Sequence, residues 1–166
     1  MTVISVVKDA EARTMTITAR FDAPIGRVWQ VWNDPRQLER WWGPPAYPAT
    51  VTEHDLAPGG TVGYAMTGSQ GDRHRGVWRV RAVDPPNTLE FEDGFADADG
   101  NPSPDMPTTA IRVALSELAG RGTQMEITAT WPSDEAMEQV LATGTDAGMA
   151  AAVGQIDELL GLPARA

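Results

Sequence analysis

The sequence predicts an α+β fold in which a curved, seven-stranded antiparallel sheet wraps around a long C-terminal helix, with two short helices after the first strand. Three observations carry this reading. Apolar and polar residues alternate from Arg13 to Phe21, and the middle of the chain is a series of short alternating runs separated by glycine and proline. The stretch from Ser133 to Gly161 carries the start and stop signals of one helix.

In the first strand Met15, Ile17, Ala19 and Phe21 alternate with Thr14, Thr16, Thr18 and Arg20. A helix follows, with Asp22 or Ala23 as cap and Pro24 in the first turn, where a missing N–H costs nothing. It places Val28, Trp29 and Trp32 on one face. Pro35 restarts a second short helix through Leu38 and Trp41, which Gly43-Pro44-Pro45 stops. Strands are expected over 50–56, 61–67, 73–83 and 88–92, with turns at Pro58-Gly59-Gly60, 68–71 and Asp84-Pro85-Pro86. From Asp93 to Pro107 three prolines, two glycines and four aspartates read as an irregular functional loop. Two further strands, 109–118 and 123–131, meet at a Gly120-Arg121-Gly122 turn. Pro132 ends the last strand, Ser133 caps a helix whose first turn holds Asp134 and Glu135, and Gly161 with Pro163 stops it. That helix would run about 28 residues, or about 42 Å.

Short connections throughout give one domain over residues 1–166, with its core at about 13–161. One helix cannot cover both faces of such a sheet, so one face should be wet. Trp78, Val80 and Ala82 accordingly oppose Val77, Arg79 and Arg81.

Of 166 residues, 42% are hydrophobic and 22% charged, and no apolar run reaches the roughly 20 residues that cross a bilayer. Membrane insertion is not expected. The N-terminus lacks the pattern of a signal peptide, and the reading is cytoplasmic. The absence of cysteine removes disulfides, thiolate metal sites and thiol nucleophiles, and two histidines leave little for a metal; no metal or cofactor is expected. A net charge of −10 disfavours nucleic acid. The arginines at 73, 75, 79 and 81 form a stripe, but Glu90 and Glu92 stand in the outward phase beside them, so cross-strand ion pairing is the reading.

Several pieces in order resemble one family. They are Ala23-Pro24 with Val28-Trp29, Asp34-Pro35 to Leu38 leading into Trp41-Trp42-Gly43-Pro44, the Asp55-Leu56-Ala57-Pro58-Gly59-Gly60 turn, Met66, Gly76, Asp84-Pro85-Pro86, and Phe95-Ala96-Asp97 through Gly100-Asn101-Pro102. Together they are similar to the activators of the ninety-kilodalton heat-shock-protein ATPase and their bacterial relatives, within the START and birch-pollen-allergen-like superfamily. The resemblance implies the helix-grip fold, an internal cavity for a small apolar, lipid-like molecule, and a heat-shock ATPase as a partner in the stress response. Ala57 stands where the family often has Arg, and Met149 where it often has an aromatic, which implies a differently shaped cavity.

Trp29, Trp32, Trp41, Trp42, Tyr64, Met66, Trp78, Phe91, Phe95, Met149 and Val153 are the candidate cavity residues. Four of the six tryptophans fall between Trp29 and Trp42, either as pocket walls or as packing of the short helices. Gly144, Ala147, Gly148, Ala151 and Gly154 form a small-residue face on the last helix. Glycine in a helix costs roughly 1 kcal/mol against alanine, so either the helix lies tight on the sheet or it leaves a void. His54 is a candidate base whose facing is open, because Val51 and Leu56 demand opposite phases; His74 is expected in solvent. No catalytic residue is assigned, because the assignable inward positions are almost wholly apolar. Asp97, Asp99 and Asn101 imitate calcium ligands, but Gly100 and Thr108 are wrong for an EF-hand.

The first functional reading is binding or carriage of a small apolar ligand. The second is a co-chaperone of a heat-shock ATPase, ranked lower because the eukaryotic activators carry a further N-terminal domain. The third is a cyclase, dehydratase or hydrolase using the same cavity. Homodimerisation is left open.

Overall fold

The computed structural model describes residues 3–161 apart from 121. Arg121 and Pro163, to which turn and stop roles fall, lie outside the described residues. The order is β1 (Val3–Asp9), β2 (Thr14–Phe21), α1 (Ile25–Asn33), α2 (Pro35–Trp41), β3 (Ala49–His54), β4 (Thr61–Thr67), β5 (Arg73–Asp84), β6 (Thr88–Ala96), β7 (Thr109–Glu117), β8 (Thr123–Thr130), α3 (Asp134–Leu141), α4 (Thr145–Val153) and α5 (Ile156–Leu159). The strands form one antiparallel sheet in the order β1-β2-β8-β7-β6-β5-β4-β3. The sheet therefore has eight strands, against seven expected. The added one is the edge strand β1, whose alternation is blurred by a register shift between Val3 and Ser5 and by the exposed Val6 and Val7.

The core forms on the face where the inward phases meet: Met15, Ile17, Ala19 and Phe21 from β2, Ile111, Val113 and Leu115 from β7, and Met125, Ile127 and Ala129 from β8. The opposite face is wet. There Arg81 pairs with Glu92, as the cross-strand reading expects of this one arginine of the stripe, and Glu90 lies opposite Arg112.

Asp34 opens α2 by accepting from Arg36 N at 2.9 Å, with Pro35 at the first helical position. Pro24 itself is the N-cap residue of α1, where Asp22 or Ala23 was expected, and no side chain closes that end. The second helix is sewn to the sheet edge: Arg36 donates to Val51 O at 3.0 Å, and Val51 N donates to Glu39 Oε1 at 3.0 Å.

The expected long helix is three shorter ones. Ser133 caps the first as predicted, accepting from Ala136 N at 3.1 Å. The first break comes at Gly144, whose φ of +83° is a left-handed conformation that residues with a Cβ rarely adopt, and the second, at Gly154-Gln155, keeps a right-handed backbone. Side-chain periodicity does not report backbone handedness, so the sequence reads through the first break. The C-terminal end is held by Gln155, which donates to Gly43 O at 2.7 Å, and by Arg27, which donates to Leu159 O at 2.9 Å.

The two glycines of this region should respond oppositely to alanine. Gly144→Ala forces a Cβ into the left-handed region and should cost about 1–2 kcal/mol. Gly148→Ala lies within α4 with open space around it, its nearest neighbour being Pro44 Cγ at 3.9 Å, and should stabilise by up to about 1 kcal/mol. Denaturant unfolding of both variants checks the signs.

Candidate functional site

A cavity of about 440 Å³ lies between the concave face and α3–α4. Its floor is Ile111, Ala129 and Trp131, one side is Tyr64, Met66, Asp93 and Phe95, and another is Trp41, Trp42, Pro44 and Tyr47. The roof is Val140, Gly144, Gly148, Met149 and Ala152. Exposed His74 and Thr143 mark the mouth.

The roof explains the void. Gly144, Gly148 and Ala152 are four residues apart, so they follow one line along the helical segment, and none has a side chain long enough to reach the floor. Of the five small residues expected on this face, Ala147, Ala151 and Gly154 are exposed, and only Gly144 and Gly148 line the cavity. Helix α4 thus leaves space above the floor instead of lying tight on the sheet. Gly144 has a second reason to be glycine, its backbone conformation.

One polar pair interrupts the apolar wall. Tyr64 on β4 donates to Asp93 Oδ1 on β6 at 2.8 Å. The two strands are not neighbours: β5 runs between them, with Gly76 directly opposite Tyr64. A Cβ at Gly76 would come within 2.2 Å of Tyr64 Cζ and Oη, so the glycine is what lets the ring cross β5 to the carboxyl. Burial pushes the Asp93 carboxyl up to about 7, against which the Tyr64 hydrogen bond acts. Burial, then the charge of Asp93, holds the Tyr64 phenol well above its ordinary range.

A second cluster sits at the mouth. Tyr47 donates to Asp72 Oδ2 at 2.7 Å, His74 Nε2 lies 3.4 Å from the same oxygen, and the Tyr47 and His74 rings meet with centroids 5.4 Å apart. The Tyr47 hydrogen bond lowers the Asp72 carboxyl.

Six of the eleven residues expected in the cavity line it: Trp41, Trp42, Tyr64, Met66, Phe95 and Met149. The other five do not. Trp29, Trp32, Trp78, Phe91 and Val153 are fully or nearly fully buried in the core beside the cavity. Trp78 stacks on Phe91 at 3.9 Å, and Trp32 meets Trp41 edge to face at 4.7 Å, so their ring faces are consumed by packing. Neither His54 nor Asp55 lines the cavity. A register shift between Val51 and Glu53 reconciles the opposed phases of Val51 and Leu56, and His54 Nε2 lies 3.2 Å from Trp32 O. His74 is exposed as expected, yet it stands at the mouth. Asp97 is occupied by turn amides, accepting from Asp99 N and Asn101 N at 3.0 Å each, and among the described residues no cluster of acidic or histidine side chains could hold a metal.

The sequence reading missed Asp93, Trp131, Met15, Ile111 and Ala129 as cavity residues. The signal for Asp93 was present: β6 continues to Ala96, so Leu89, Phe91, Asp93 and Phe95 share the inward phase. Ending that strand at Glu92 put the one inward carboxylate of β6 into a supposed loop, and the expectation of almost wholly apolar inward positions is corrected accordingly.

Residues 22–161 match the family described as Activator of Hsp90 ATPase homolog 1-like protein. The chain is similar to a protein of Mycobacterium smegmatis seen in a crystal structure, with 47% identity over 98% of this chain and 99% of that one and a TM-score of 0.89. It is also similar to a protein of Arthrobacter aurescens solved by NMR, with 46% identity over 99% and 95% of the two chains and a TM-score of 0.92. A Staphylococcus epidermidis protein follows at 26% identity, with 98% of each chain covered and a TM-score of 0.82. No curated protein matches.

Two outcomes follow from the polar pair. Gly76→Ala should drive the Tyr64 ring off Asp93 and cost roughly 1–3 kcal/mol by overpacking, read by denaturant unfolding. The folded chain keeps the Asp93 proton up to about pH 7, while the unfolded chain releases it near 3.8, so between these values the folded form binds more protons. The stability this confers is fully present below about pH 4 and is lost as pH rises towards about 7. Across that window the wild-type slope should approach about 1.4 kcal/mol for each step of one in pH, and Asp93→Asn should remove it, read by denaturant unfolding at a series of pH values.

Proposed function

Since the chain belongs to the family of Activator of Hsp90 ATPase homolog 1-like proteins, we propose that it binds and carries a small, mainly apolar molecule in the cavity beneath α3–α4. The observation that carries this reading is the roof of Gly144, Gly148 and Ala152 over a floor of Ile111, Ala129 and Trp131. A packed core fills such space, because each missing methylene forfeits transfer and dispersion energy. Here the space stays open on one side to solvent, past His74 and Thr143. An eight-carbon chain placed there would contribute roughly 6 kcal/mol at about 0.8 per methylene, set against the entropic cost of association. Micromolar affinity suits carriage, where the cargo has to leave again.

Trp41, Trp42, Tyr64, Met66, Phe95 and Met149 are the proposed contacts, with Trp131 beneath them. No helix among the described residues is long and apolar enough to cross a membrane, and the proposed location is the cytoplasm. A heat-shock ATPase as partner is proposed on the family's description alone. Catalysis is the second reading that a specific observation favours, since Asp93 supplies an inward acid group of the kind the sequence reading lacked. Recovery of a bound cellular ligand unchanged after prolonged incubation would count for carriage, and its conversion for catalysis.

Gly148→Leu tests the cavity directly. The new side chain enters the void, so an environment-sensitive apolar dye that binds wild type should no longer bind, while thermal stability holds or rises by up to about 1 kcal/mol. Dye binding unchanged by the substitution would place the dye elsewhere and count against the cavity as the binding site.

A further inference from the structure

We infer that the cavity selects an apolar molecule carrying a basic nitrogen, a lipophilic amine whose cationic head meets Asp93 within a box of aromatic rings. This rests on the proposed role of the cavity and specifies the chemistry of its occupant.

The wall leaves few polar groups available to a ligand. Asp93 spends Oδ1 on the Tyr64 hydroxyl, and its carboxyl faces the cavity with no other hydrogen bond among the described residues. The indole donors of the wall are already committed or out of reach. Trp131 donates to Thr109 Oγ1 at 2.8 Å, and Trp41 donates to Val31 O at 2.8 Å. Trp42 Nε1 has no accessible surface, so a ligand in the cavity cannot reach it. The inner wall therefore offers ring faces, the Thr109 hydroxyl and the Asp93 carboxyl, which once ionised above about pH 7 only accepts, and it leaves no indole donor free. A ligand carboxylate or phosphate would meet Asp93 unpaired. A protonated amine would meet a counter-charge, with Trp42, Tyr64, Phe95 and Trp131 presenting rings of the kind that attract cations.

Electrostatics over longer range agree. The protein carries a net charge of −10, which draws cations towards it. The other titratable or charged groups lining the cavity are Tyr64 from β4, His74 and Arg75 from β5, and Tyr47 from the loop after α2; β7, β8, α3 and α4 contribute none. His74 lies beside the carboxylate of Asp72 at the mouth, and Arg75 belongs to the same end of β5. Neither is hydrogen-bonded or ion-paired to Asp93, so the carboxyl depends on the ligand for a counter-charge.

The test is calorimetric titration with three probes of one chain length, octylamine, octanol and octanoate, between about pH 5 and about pH 8. Octylamine should bind more tightly than octanol by about tenfold or more at the upper end of this range. Its affinity should rise with pH as Asp93 ionises. Asp93→Asn should bring octylamine down to the level of octanol and flatten the pH dependence, with octanol binding retained as evidence of a folded cavity. Tyr64→Phe removes a hydrogen bond that favours the ionised carboxyl and should move the pH dependence upwards; His74→Gln should leave it in place. Equal or tighter binding of octanol or octanoate by wild type would overturn the amine inference and leave the apolar cavity standing. An amine preference that survives Asp93→Asn, or a pH dependence that Tyr64→Phe does not move, would overturn it as well. If none of the three probes binds, the cavity reading itself fails, and the inference with it.

Discussion

One block of aromatic packing determines where everything else on the concave face can go. Trp32, Trp41, Trp42, Trp78 and Phe91 interlock through a stacked pair at 3.9 Å and edge-to-face contacts at 4.7, 4.8 and 5.6 Å. Each ring takes roughly 150–250 Å² out of water, worth about 4–6 kcal/mol at about 25 cal/mol per Å². That block fastens α1 and α2 over one part of the sheet and fills it completely. The remaining part is left to α3 and α4, which arrive with Gly144, Gly148 and Ala152 on their covering line. A cavity is the consequence of filling one half of a concave surface with the largest side chains and roofing the other half with the smallest.

Trp42 stands on the boundary between the two halves. Its ring packs on Trp78 behind and on Tyr64 in front, at 5.9 Å, so the packed block also positions the cavity's polar pair. The pair needs this support. Tyr64 has to span an intervening strand, which Gly76 permits, and Asp93 has to stay in an apolar wall, where burial disfavours its charged form. A carboxyl kept there weakens the folded state at and above neutral pH. Such a group is economical only where something that enters the cavity interacts with it, which is the physical ground for assigning Asp93 to recognition.

The sequence makes the strands legible where alternation is clean. Met15, Ile17, Ala19 and Phe21, and likewise Ile111, Val113 and Leu115, point inward as their period of two requires, and Trp29, Trp41, Trp42 and Trp78 are all buried. Ser133 is a cap because its hydroxyl and the acidic first turn satisfy a helix start locally. What is illegible depends on information that residue type does not carry. The break at Gly144 is a matter of backbone handedness, and the phase of His54 turns on a register shift one strand pair wide. Trp32 and Trp78 are buried for packing whereas Trp42 and Trp131 are buried against a void, and nothing in an indole's spacing distinguishes the two. Asp93 was readable in principle, since it continues the phase of Leu89 and Phe91, but a carboxylate followed by glycine imitates the end of a strand.

The most direct measurement is intermolecular nuclear Overhauser contact between an apolar ligand and the methyl and ring protons of the protein. With the cavity as the binding site, the alkyl protons of bound octylamine or octanol should contact the methyl groups of Met149 and Ile111 and the rings of Trp42 and Trp131. Contacts confined to the exposed Val6 and Val7 of β1, with none to those four residues, would contradict it.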